Sequence, residues 1–279
     1  MIYMKRRISN FILLFIFFIG LSVSLYPAIG NYWNSKTQTE AIIDYEKMLE
    51  NMPKEDYTTL FQSAEQYNKK LLNLDNPLTE YTKLSDYNDI LDLDGTGMMG
   101  YITIEKIQAE LPIYHGTSEA VLSKAAGHLE GSSFPIGEKG SHTVISAHRG
   151  MPTAVLFTYL DRLEVGDTFS VTILNRTTVY EVDQIRIVDP DDISELSLNR
   201  NEEYCTLITC TPYGINTQRL LVRGRSSETV LKKNIYISTE AYRIKPLIIM
   251  PVIAVPILFV LMMTVIFKPV RKKDSGEDI

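Results

Sequence analysis

The 279-residue sequence predicts a mainly β domain, a barrel or a sandwich, with a helical hairpin ahead of it and an apolar segment at either end. Three observations predict it. From Gly100 onward, short β-type runs alternate with turn residues. Between residues 37 and 73, apolar side chains recur at helical spacing instead. Residues 8–29 and 246–267 carry no charged side chain at all.

Composition narrows the class. At 45% hydrophobic and 22% charged residues, the chain can bury a core and is not a disordered polymer. Two cysteines exclude a disulfide scaffold and a Cys-rich zinc module. A net charge of −6, from 28 basic and 34 acidic residues, argues against a nucleic-acid partner. The charge is partitioned. Setting aside seven basic and three acidic residues at the two tips leaves 31 acids and 21 bases in residues 8–267, a formal −10.

The elements follow in order. The apolar run Phe11–Ile29 comes after Lys5-Arg6-Arg7 and reads as a cleaved signal peptide or a membrane anchor. The lack of a clean Ala-x-Ala site favours the anchor. Ala41, Ile42, Tyr45, Met48 and Leu49 mark one helix; Tyr57, Leu60, Phe61, Ala64, Tyr67 and Leu71 mark a second, with Asp56 as its expected N-cap. Pro53 breaks the pattern, and Asn51–Lys54 links the two as a hairpin. Asn73–Gly100 has no period and reads as a long polar loop, of the kind that is functional or disordered. Strands are expected at Tyr101–Lys106, Leu111–Tyr114, His142–Ala147, Thr168–Leu174, Thr178–Val188, Tyr204–Cys210 and Arg219–Arg223, with a hairpin turn at Leu174–Thr177. Arg225–Lys245 reads as a polar connector. The 22 residues 246–267, at about 1.5 Å each, span roughly the thickness of a bilayer. Pro251 and Pro256 are tolerable in such a span. Basic clusters at both tips place the ends in the cytoplasm and residues 30–245 outside it.

Three side chains carry candidate chemistry. Cys210 ends an apolar strand and precedes the turn Thr211–Gly214, where a thiol is exposed. Cys205, an odd five residues earlier, faces the other way in a regular strand and reads as a packing residue. His148 also ends an apolar strand, and Arg219 opens one. A thiol beside an imidazole can be activated to attack a carbonyl, and a guanidinium can hold substrate or the developing oxyanion. The pattern supports a thiol acyl-transfer enzyme.

The wider text carries a resemblance. Thr206-Leu-Ile-Thr-Cys210 resembles the TLxTC signature of sortases, with Arg219 nine residues on. Gly100–Ile104, Leu111–Thr117, Gly127–Ser132, Ala147-His-Arg-Gly150 and Thr209–Gly224 resemble class C, or pilus-specific, sortases of Gram-positive bacteria, over about residues 97–225. The resemblance implies a closed sortase β-barrel of about eight strands, in a cell-surface enzyme held in the membrane. It implies that Cys210 attacks the Thr–Gly bond of an LPxTG-like sorting signal to form a thioacyl enzyme. The lysine amine of a pilin subunit then resolves it into an isopeptide bond. His148 would be the general acid/base and Arg219 the residue that positions the signal or steadies the oxyanion. It also implies a lid, usually Asp-Pro-aromatic. The match here is Asp75-Asn76-Pro77-Leu78, with the acid displaced by one position and Leu78 in place of the aromatic. Asp75 or Asn76 would then reach Arg219, Leu78 would cap the thiol, and Asn73–Asp86 would gate access to Cys210.

The domains expected are residues 1–30 (basic tip and anchor or signal), 31–96 (helices and lid, the latter about 73–86) and 97–225 (catalytic barrel). A connector (226–245), a span (246–267) and a basic tail (268–279) follow. No cofactor or metal is implied: His115, His128 and His142 lack ligand spacing, and Asp92-Leu-Asp94-Gly95 fails as a calcium loop. The sequon Asn175-Arg-Thr177 reads as a hairpin tip. Competing readings are a sortase that anchors proteins to the cell wall or hydrolyses sorting signals, and a membrane-tethered pilin-binding module without catalysis.

Overall fold

The computed structural model describes residues 2–231, 256–260 and 263–264. Residues 31–237 form one compact unit, and residues 1–30 with 238–279 another. The connector beyond 231 and most of the expected C-terminal span lie outside the described residues.

A single helix, α1 (Ile2–Glu50), includes both the N-terminal apolar run and the first predicted helix. Its Leu14–Glu50 part contains a stretch long and apolar enough to cross a membrane. Helix α2 (Lys54–Leu71) begins directly after Pro53, so Asp56 lies in its first turn and is not the N-cap. A proline just ahead of a helix has no N–H to leave unpaired, and Glu55 and Asp56 complement the helix dipole there. The long polar segment is not structureless: it holds the short helix α3 (Pro77–Glu80) and 3-10 turns at Tyr81–Lys83 and Tyr87–Asp89.

Eight strands close a barrel: β1 (Met98–Ile104), β2 (Ala109–His115), β3 (Ala126–His128), β4 (His142–Ser146), β5 (Thr168–Ile173), β6 (Arg176–Val188), β7 (Tyr204–Thr211) and β8 (Gln218–Leu231). A one-turn helix, α4 (Glu119–Leu122), precedes β3. Around the barrel the order is β1-β2-β3-β4-β7-β8-β6-β5, closed by β5 against β1. All are antiparallel neighbours except β2–β3 and β4–β7. Strand β8 runs to Leu231 by pairing with β6, past the point where a polar connector was expected.

Alternation sorts the side chains. Ile102, Ile104, Ile113, Val171, Leu207 and Val222 fill the barrel, with Phe169 stacked on Tyr180 at 5.4 Å between ring centres. The helices cover the barrel through polar as well as apolar contacts. Tyr45 Oη of α1 donates to Met99 O (2.8 Å) and accepts from Leu174 N (2.9 Å). Asn68 of α2 donates to Phe134 O and accepts from Phe134 N. These pairings satisfy backbone groups that burial would otherwise leave without a partner.

Candidate active site

Strand register assembles the three candidate residues. Cys210 in β7 lies directly opposite Arg219 in β8. On its other side β7 runs parallel to β4, with His142 beside Tyr204 and Ser146 beside Ile208. The two strands stay together past the end of β4: Ala147 N donates to Ile208 O, and Thr209 Oγ1 donates to Ala147 O. Continued two residues past Ser146 and Ile208, the same offset would set His148 level with Cys210. Thiol and guanidinium thus come from paired strands, about one strand spacing apart, and the imidazole from the segment that follows β4.

Alternation sets the face of Cys210. Cys205 and Leu207 are buried in the barrel, whereas Ile208 and Cys210 are partly exposed on its outside. Both cysteines are free thiols; burial pushes the Cys205 thiol well up, which leaves it inert, as its packing role requires. On the same outer face runs a groove of about 300 Å³. Ser146, Ile208, Leu196 and Leu221 are among its walls, Arg219 is its cation and Asp192 its anion.

His148 Nε2 lies 3.3 Å from the Glu119 carboxylate at the start of α4. No spacing rule points to Glu119, which is 29 residues away in sequence and meets the imidazole only through the fold. The other ring nitrogen of His148, Nδ1, has no hydrogen-bond partner among the described residues. His142 lies on the outer face of β4 but has a structural task. Its Nδ1 faces Ser197 O (2.9 Å) and its Nε2 faces Thr206 Oγ1 (2.7 Å). It ties the β6–β7 loop, one wall of the groove, to the sheet, and burial lowers its pKa to about 4. His128 is likewise caged, between Tyr87 Oη and Ser133 O, and burial lowers it to about 4.

The expected lid contacts differ. Arg219 donates to the carbonyls of Asn216 (3.4 Å) and Gln218 (3.1 Å), folding back on its own turn, and no ion pair joins it to Asp75 or hydrogen bond to Asn76. Pro77 opens α3 and Glu80 reaches back to Asn76 N, which commits that stretch to its own helix cap. Leu78 packs in the cluster of Val144, Leu196 and Leu221, on the groove side of the sheet. The segment is seated closely there. A Cβ on Gly131, whose φ is +83°, would lie 2.6 Å from Pro77 O. A larger depression, about 490 Å³, opens between this segment, His142 and the β6–β7 loop. None of the three candidate residues lines it, whereas Arg219 lines the smaller groove.

Comparison with known proteins identifies this arrangement. Residues 102–227 match the family model described as "Sortase domain". Sortase C1 from Streptococcus agalactiae is 49% identical, covers 68% of this chain and 98% of its own, and superposes with a TM-score of 0.64. The chain belongs to the sortase family. Streptococcus pneumoniae sortase C is 40% identical over 68% of this chain and 98% of its own, with a TM-score of 0.62. Sortase D of Bacillus subtilis is 33% identical over 129 residues; the match spans 45% of this chain and 62% of that protein. The barrel is thus that of a sortase-type cysteine transpeptidase, and the solved structures it resembles are of the class C type.

Proposed function

We propose that this sortase joins pilin subunits, cleaving an LPxTG-like sorting signal between Thr and Gly. The observation that carries the reading is Cys210 directly opposite Arg219, which lines an apolar groove, with His148 two residues beyond β4, the strand that pairs with β7 on its other side. The Cys210 sulfur, its proton passed to His148, attacks the threonine carbonyl carbon, and Arg219 swings from the carbonyls of its own turn to the developing oxyanion. The C–N bond to glycine breaks as His148 gives its proton to the leaving amine. A lysine Nζ then attacks the thioester carbon and loses its proton to His148. The Cys210 sulfur leaves, and an isopeptide bond remains. Pilins enter the proposal because sortase C of Streptococcus pneumoniae is described with a pilin substrate specificity. The apolar stretch of α1, behind Lys5-Arg6-Arg7, fits a membrane anchor with the barrel on the extracytoplasmic side.

The test is intact-protein mass after incubating the full chain, in detergent, with LPxTG-type peptides. A thioacyl adduct that maps to Cys210 and is absent from C210A supports the reading. Adding a pilin fragment with a free lysine should convert the adduct to an isopeptide-linked product. Release by water alone would favour a hydrolytic sortase, and binding without an adduct a non-catalytic module.

A further inference from the structure

Arg149 follows His148 directly and is the most buried guanidinium among the ion pairs of the described residues, its side chain only 7% exposed. It makes three contacts. One nitrogen, Nη2, pairs with the Asp161 carboxylate. The other, Nη1, donates to Thr211 Oγ1 at 3.4 Å, and the guanidinium carbon lies 5.8 Å from the centre of the Tyr213 ring. Thr211 follows Cys210 directly. The residue after the candidate base is therefore bonded to the residue after the candidate nucleophile.

The surroundings reinforce this junction. A Cβ on Gly150, where φ is +77°, would stand 3.1 Å from the Tyr213 ring, so the chain after Arg149 lies closely under that ring. From the other side, Phe157 N donates to His148 O (3.1 Å) and Thr158 Oγ1 accepts from Gly150 N (3.2 Å). As an aid to stability, Arg149 is poorly built. Its charge is desolvated, and its Nε is buried without a hydrogen-bond partner. Its ion-pair partner Asp161 is about half exposed, and a pair screened by water on one side contributes little to stability. What the planar fork does provide is a fixed distance between two acceptors at once, which a lysine ammonium on its flexible stem does not.

We propose that Arg149 is a positioning residue that holds His148 in register with Cys210 through Thr211. The inference rests on the reading of His148 and Cys210 as the reacting pair. Strand pairing aligns the two as far as Ala147 and Ile208; beyond the end of β4, the Arg149 fork takes over that task. Proton transfer tolerates little misplacement: an error of about 1 Å lowers a rate by about 100-fold.

The test is the pH dependence of Cys210 alkylation by iodoacetamide, mapped by peptide mass on the full chain in detergent, together with acylation by an LPxTG peptide. In the unaltered chain, an imidazole held beside the thiol imprints its own titration on the alkylation rate, and H148A erases that step. R149K keeps a positive charge but not the fork. It is expected to give the H148A profile and to acylate about 10- to 100-fold more slowly at unchanged KM. T211V removes only the acceptor oxygen and should shift the profile the same way, while T211S restores it. This pair decides the matter if R149K does not fold. Profiles of folded R149K or T211V that superimpose on that of the unaltered chain overturn the proposal. So does an alkylation profile that H148A leaves unchanged, because there is then no pair to hold. A profile lost in R149K, in a chain that no sorting peptide acylates, would support the positioning role and remove the transpeptidase reading.

Discussion

Acidification from pH 7 to pH 5 is expected to weaken the barrel through two buried histidines. His128 and His142 are both almost fully buried, and desolvation lowers each from about 6.5 to about 4. In the folded chain they stay neutral over a range in which the unfolded chain takes up protons. The sign follows: the unfolded state binds more protons, so stability falls as pH falls. The contribution is fully present above about 6.5 and is lost progressively toward about 4. Between pH 7 and pH 5, linkage gives a loss of about 2 kcal/mol for each histidine. Burial raises Glu138 and Glu203, so their protonation on the way down returns part of that loss. Asp86, lowered chiefly by its hydrogen bond from Lys70, adds its own loss only below about pH 4. The assay is denaturant unfolding of the full chain in detergent at pH 7, 6 and 5. H142Q, which removes one of the two titrating groups, should reduce the pH dependence to about half. Stability that does not change between pH 7 and pH 5, or an H142Q slope equal to that of the unaltered chain, would refute the reasoning.

Three further outcomes are expected. E119Q keeps the shape of the group facing His148 Nε2 but removes its charge, and should slow acyl transfer without altering the melting temperature; equal single-turnover rates would count against an orienting role. Y45F leaves the buried Leu174 N–H without its acceptor and should cost about 1–3 kcal/mol in a chemical denaturation series. G131A forces a Cβ against Pro77 O and Leu78 Cα at a positive φ, with strain of about 1–3 kcal/mol, and should unseat α3. Limited proteolysis within residues 73–86 should then speed up. If those residues gate the groove, acylation should speed up with it; proteolysis that quickens while acylation does not would remove the gate.

Much of the fold was legible because its signals are local. The 3.6-residue recurrence from Ala41 to Leu71 and the break at Pro53 mark two helices, and alternation marks strands such as β5, where Phe169, Val171 and Ile173 are buried. The misses also have local causes. Strand β3 is three residues long, too short to show a period, and exists because β2 and β4 flank it. The far end of β8 reads as polar connector because Ser226-Ser227-Glu228-Thr229 alternates nothing; its strand character comes from pairing with β6. Pro77 and Asn76 could have announced α3, but the nearby glycines and lack of period made the whole stretch read as loop.

By itself, then, the sequence determined the residue types of the site, the strands that bear them, the family resemblance and the apolar ends. Each of these is written in short-range pattern or in motif. Only the tertiary structure decided who meets whom. It paired the strand that precedes His148 in parallel with the strand that holds Cys210, 62 residues on, set Glu119 on the imidazole, and turned Arg219 onto its own turn and not toward Asp75. It also buried Arg149 between the neighbours of two candidate catalytic residues. Such contacts depend on barrel closure and strand register. Both are settled by packing summed over the whole sheet, which no local run of residues encodes.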